Sequence, residues 1–181
     1  MQFAQLARQI CLSWPWPHGC LPVSEDVARL GGIVAGPGAG WEYAGVDLEE
    51  NKALVRRYYQ EVLTGRDRDL LTRLLDPSFV SHVSGGPAAG AGAYTAAVDA
   101  THAAFPDLVV TVHDQVAEAD KVVTRWNATG THAGDFAGVP ATGRRVTVTG
   151  IHIHRVRHGR LIEHWEELDL LGVLRQLGVL S

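Results

Sequence analysis

The stretch Arg145–Leu168, RVTVTGIHIHRVRHGRLIEHWEEL, decides how this chain folds. Residues Arg145 to Arg157 read as one long strand, rich in Val and Ile, and Arg160 to Leu168 as another. His158-Gly159 links them as a tight hairpin turn. Side chains alternate along a strand with a period of two. His152 and His154 therefore share a face with Val148 and Gly150, while Ile151, Ile153 and Arg155 take the other. On the next strand Ile162, His164, Glu166 and Leu168 form one face, and Glu163, Trp165 and Glu167 the other. Cross-strand neighbours sit about 5 Å apart, which sets His152 or His154 beside His164 or Glu166.

Two readings of that juxtaposition stand. A carboxylate beside histidines in an apolar pocket is an acid/base pair, because burial moves the carboxyl pKa and an imidazole bonds to substrate or acid. Alternatively, His and Glu lie on a solvated strand face, as is common on antiparallel sheets. His152 and His154 with Glu166 also form a weak metal pattern, which needs a further ligand such as His164. His82 and His132 are further candidates, with His102 and His113 weaker. Trp126 and Trp165 read first as packing residues that are also able to flank a planar ligand.

Outward from this hairpin, Leu108 to Ala117 and Val122 to Thr131 read as two more strands turning at Asp120-Lys121. A loop with Pro140 and three glycines fills Gly134 to Gly143, and a short helix over Leu170–Leu177 closes at Gly178. On the N-terminal side, Asp47 reads as a helix cap, followed by Glu49 and Glu50 and by Leu54, Val55, Tyr58, Tyr59, Val62 and Leu63 at helical spacing. Gly65 ends that helix. A second carries Leu70, Leu71, Leu74 and Leu75 and stops at Asp76-Pro77. Phe79 to Val83 reads as a short strand, 84–92 as a loop, and 93–104 as a third helix.

Helices followed by antiparallel strands predict an α+β domain, helices packed on one face of a curved sheet with a ligand pocket between. The domain spans 47–181. Residues 1–46, with W-P-W-P-H-G at 14–19 and G-G-I-V-A-G-P-G-A-G at 31–40, read as a poorly ordered extension of flexible-loop composition. A lid or partner-binding tail carrying Trp14, Trp16 and Trp41 is the other reading.

A net charge of −4 without a basic stripe argues against nucleic acid. No apolar run reaches the roughly 18 residues of a membrane span. Cys11 and Cys20 form no C-x-x-C pair, which makes the cytoplasm the default location. There is no G-x-S-x-G elbow, phosphate-binding G-x-x-x-x-G-K-[ST] loop or G-x-G-x-x-G turn between strand and helix.

GTHAGDFAGVPATGRR, GIHIHRVRHGRLIEHWEELD and LLGVLRQLG together resemble the SnoaL-like polyketide cyclases, or ester cyclases, of the nuclear transport factor 2-like superfamily. The resemblance covers about 48–179 and includes the D-P-S-F-V-S-H strand start. It implies a cone-shaped α+β barrel, commonly a homodimer. It also implies ring closure by intramolecular aldol condensation of a polyketide ester, without metal or organic cofactor. On that resemblance Glu166 takes the place of the general acid/base Asp, and His152 that of its assisting histidine. Ser81, followed by His82, stands where those cyclases have a substrate-holding Asn, and Gly150 where they have Gln. His82, Ser81, His154, His164 and Trp126 are the expected substrate contacts. A non-catalytic binding or dimerisation domain is an alternative. So is a hydrolase in the same pocket, to which Arg125 and Asp169 would contribute.

Overall fold

The computed structural model describes residues 33–35, 41–43, 47–83 and 88–180. The chain divides into two compact units, 1–44 and 45–181. In the first, β1 (Ile33–Ala35) pairs antiparallel with β2 (Trp41–Tyr43), so the glycine-rich run expected to be loop throughout contributes a short strand. The expectations for 1–32 lie outside the described residues.

The second unit opens on α1 (Leu48–Arg57). The Asp47 carboxylate accepts from the amides of Glu49 at 2.9 Å and Glu50 at 3.0 Å, satisfying donors that the first turn leaves free. The helix then widens into a π-helical stretch, Tyr58–Thr64. Tyr58, Tyr59 and Val62 of that stretch are all buried. Asp67 caps α2 (Arg68–Leu74) through the Leu70 amide at 2.8 Å.

β3 (Leu75–Val83) starts four residues earlier than the sequence suggests. Its register slips between Leu75 and Val80, so the run holding Pro77, which has no N–H for a ladder, is accommodated. β4 (Ala89–Gly90) and α3 (Ala91–Ala104) follow. Then come β5 (Val109–Glu118), β6 (Lys121–Thr131), β7 (Arg145–Arg157), β8 (Arg160–Leu168) and α4 (Leu170–Leu177).

Six strands form one curved, open sheet in the order β4-β3-β8-β7-β6-β5. It is neither closed into a barrel nor wholly antiparallel, because β3 runs parallel to β8. The β7–β8 turn has positive φ at both central residues, 50° at His158 and 69° at Gly159, the conformation that lets a two-residue hairpin follow strand twist.

The inner sheet face packs Val110, Val122, Ala128, Val156 and Leu161 against Val55, Val62 and Leu71 from the helices. A smaller cluster of Ala104, Phe105, Val146, Val173 and Leu177 sits where α4 docks. That docking uses Arg144 of the RR run and Gln176 of the RQLG run. The Gln176 side chain donates to the Thr147 carbonyl and accepts from its amide, both at 2.8 Å, and Arg144 donates to the Gln176 carbonyl at 3.1 Å.

Candidate active site

Strand alternation puts a block of polar groups on the buried face. His152 stands directly opposite Glu166, and His154 opposite His164. The parallel partner β3 adds Ser81 opposite His164. His152 is 2% exposed and His154 and His164 0%, which rejects the solvated-face reading for these three.

Glu166 Oε2 lies 3.0 Å from His152 Nε2, at ion-pair distance without hydrogen-bond alignment. On the far side of that imidazole, the Tyr59 hydroxyl is 2.9 Å from Nδ1. Burial, then the neighbouring Tyr58, raises the Tyr59 pKa well above its ordinary value, so the phenol keeps its proton. The hydroxyl and Nδ1 share one hydrogen bond, in which the hydroxyl donates or accepts according to the imidazole tautomer, and Nε2 faces Glu166. Ser81 Oγ is 3.1 Å from His164 Nδ1. Burial pushes His154 and His164 well below the usual histidine range, with nearby histidines adding to it, so both are neutral at pH 7. The hydroxyls of Tyr58 and Tyr94 are in short contact, and burial holds both phenols protonated.

A pocket of about 350 Å³ opens above this block. Its walls are mostly apolar, with Val98, Phe105, Val110, Val146 and Val148 among them. His152, Glu166, Tyr58, Tyr94, Thr101 and Trp126 are the lining residues with polar side-chain atoms. The Trp126 indole N–H is buried without a partner. This is the form of a small-molecule site: an apolar enclosure with a few convergent polar groups.

Gly150 explains why Trp126 fits. The two are cross-strand partners. A Cβ on Gly150 would lie 2.6 Å and 2.8 Å from Trp126 ring atoms and 2.9 Å from the Glu167 carbonyl oxygen. The indole occupies the space that a side chain at 150 would need.

Several expected contacts fall elsewhere. His154, His164 and Ser81 lie behind His152 and Glu166 and are not among the lining residues. His82 is on the outer face, because alternation turns it away once Ser81 points inward. There it meets Glu163 at 3.0 Å and stacks on Trp165. Arg125 and Asp169 line a separate open depression with His113 and Ile151, and Arg125 is ion-paired with Asp114 at 2.5 Å. The buried tyrosines were missed as site residues. Their signal was two adjacent tyrosines on an otherwise ordinary amphipathic helix.

Residues 53–177 match the family model of the SnoaL-like polyketide cyclases. The chain belongs to that family. As a SnoaL-like protein it is 32% identical over 133 residues to the aklanonic acid methyl ester cyclase DnrD of Streptomyces peucetius, covering 69% of this chain and 88% of that protein. Among solved structures, IdmH of Streptomyces antibioticus aligns with a TM-score of 0.64 and 35% identity, covering 71% of this chain and 98% of IdmH. TsrD of Streptomyces laurentii aligns at 0.67 and 32% identity, covering 75% and 99%. No helix among the described residues is long and apolar enough to cross a membrane.

Proposed function

We propose that this SnoaL-like protein catalyses an intramolecular aldol-type ring closure, or a closely related proton transfer, on a carbonyl-containing small molecule. The observation that carries the proposal is the Glu166–His152 pair, 3.0 Å apart at the base of an apolar pocket, with His152 held by Tyr59. Glu166 removes a proton from the carbon beside a carbonyl. The His152 ring and the free Trp126 indole N–H supply donors for the enolate oxygen that forms. The enolate carbon attacks a second carbonyl of the same molecule, the ring bond closes, and the new alkoxide takes back the proton. All atoms stay in the product, so the step is an isomerisation and draws on no cofactor. Positioned proton transfer of this kind contributes about 100- to 10,000-fold.

The methyl ester of aklanonic acid, named in the Streptomyces peucetius relative, is the first substrate to try. Glu166→Gln and His152→Ala should each lower turnover sharply while the fold is kept. Unchanged turnover in both would sink the assignment.

The reading includes a cytoplasmic homodimer. The support for self-association is the outer sheet face, where Val116, Val123 and Ile151 are exposed beside the half-buried Ile153 and Trp165. Light scattering on the purified chain should give twice the chain mass; a monomer at all concentrations would remove this part.

A further inference from the structure

Four inner-face residues form a rectangle: His152 and His154 on β7 stand across from Glu166 and His164 on β8. The three imidazoles are all buried, and each has a ring nitrogen without a hydrogen-bond partner. These are Nε2 of His152, Nε2 of His164 and both nitrogens of His154. A buried polar atom left unpartnered costs about 1–3 kcal/mol, and such atoms on three adjacent side chains call for a common partner. One nitrogen from each ring lies within 4.8 Å of the others.

The opposite nitrogens of two rings are already tied. Tyr59 is 2.9 Å from His152 Nδ1 and Ser81 Oγ is 3.1 Å from His164 Nδ1. This is how metal-binding imidazoles are held: a fixed partner on one nitrogen orients the ring and the other nitrogen faces the ion. Glu166 Oε2, 3.0 Å from His152 Nε2, adds an oxygen at the edge that faces the pocket.

We infer that His152, His154 and His164, with Glu166 beside them, form a binding site for one divalent first-row transition metal ion. Imidazole nitrogens with a carboxylate suit Zn²⁺, Co²⁺, Ni²⁺ or Fe²⁺; Mg²⁺ and Ca²⁺ prefer sets made of oxygen. At tetrahedral geometry with bonds of about 2.1 Å, ligand nitrogens lie about 3.4 Å apart. Binding therefore draws the cluster inward. His154 has no hydrogen bond to break at either ring nitrogen, but its ring packs among Tyr58, Tyr59, His152 and His164, so the three imidazoles share that movement.

The site has a functional consequence. The ion takes His152 Nε2 and sits beside the Glu166 oxygen, 3.0 Å from that nitrogen, so it engages the pair proposed above to carry the chemistry. Metal-loaded and acid/base-competent forms exclude one another, and divalent transition metals inhibit the ring closure. The binding site itself does not rest on that reading.

The test uses the untagged full chain, stripped with EDTA and titrated with Co²⁺, with Zn²⁺ as competitor. The expected result is one Co²⁺ per chain with visible ligand-field bands, displaced by Zn²⁺. Affinity should fall by more than about 100-fold in His154→Leu and in His164→Leu, beyond the loss expected from removing a supporting group. Circular dichroism establishes that each variant is folded. If the variants unfold, X-ray absorption on the Zn²⁺-loaded wild type decides: three imidazole ligands support the site and fewer overturn it. No uptake at millimolar Co²⁺, or equal uptake by a folded His154→Leu chain, also overturns it. Turnover assays on Glu166→Gln fail or succeed separately from this binding result.

Discussion

Gly150→Ala perturbs the site through one methyl group. Built on the existing backbone, that carbon would stand 2.6 Å and 2.8 Å from the Trp126 ring and 2.9 Å from the Glu167 carbonyl oxygen. Ordinary carbon contacts are about 3.5–4.0 Å, so the indole must retreat by about 1 Å. The carbonyl belongs to β8 and is held by sheet pairing, so the indole yields most, while the 2.9 Å approach to the carbonyl also forces a small shift between β7 and β8. Trp126 lines the pocket and lies 4.7 Å, ring to ring, from His152, so its retreat disturbs both ligand space and the acid/base pair. Overpacking of this kind costs about 1–3 kcal/mol. For a domain of this size that lowers Tm by about 3–10 °C. Calorimetry on Gly150→Ala, Trp126→Val and the double variant forms a double-mutant cycle. The smaller Val should relieve the indole part of the clash, leaving only the approach to the Glu167 carbonyl, and give a coupling of about 1 kcal/mol or more. An unchanged Tm for Gly150→Ala, or strictly additive single effects, would refute the reasoning.

Three further outcomes follow from the same geometry. Tyr59→Phe strips His152 Nδ1 of its 2.9 Å partner; it should cost about 1–3 kcal/mol by denaturant titration and lower kcat more than it changes KM. Stability should fall as pH drops below about 6.5, the unfolded histidine value. The unfolded chain takes up protons there that buried His154 and His164 refuse until their lower folded values are reached. The slope approaches about 1.4 kcal/mol per pH unit for each, and a folded His154→Phe variant should flatten it in urea titrations at several pH values. His82→Ala removes a part-exposed contact on the outer face, so it should change stability by less than about 1 kcal/mol and leave turnover unchanged.

Much of the site was legible because strand alternation is strict. Parity alone groups His152 with His154 and His164 with Glu166. The exact partners were not legible, because the His158-Gly159 turn by itself would pair His152 with Trp165. A bulge between Arg155 and Val156 shifts the register so that His152 meets Glu166 and His154 meets His164. Caps were also readable, since Asp47 and Gly178 act locally. What escaped depended on contacts distant in sequence. The parallel pairing of β3 with β8 has no hairpin to announce it, and it alone decides that Ser81 faces in and His82 faces out. Tyr59 reaches His152 across 93 residues of chain, and its placement depends on the π-helical winding after Arg57, for which amphipathic spacing gives no sign. The short β4 and the early start of β3 were hidden by Pro77 and the glycine-rich run, which read as breaks. Gly150 and Trp126 were each visible, but their mutual exclusion needs the cross-strand register.

The most direct measurement is solvent-deuterium exchange at the carbon beside the substrate carbonyl, followed by NMR in D₂O for wild type and Glu166→Gln. Wild type should exchange that proton, and the variant should bind the same ligand yet exchange at least about 100-fold more slowly. Equal exchange rates in the two proteins would contradict Glu166 as the base.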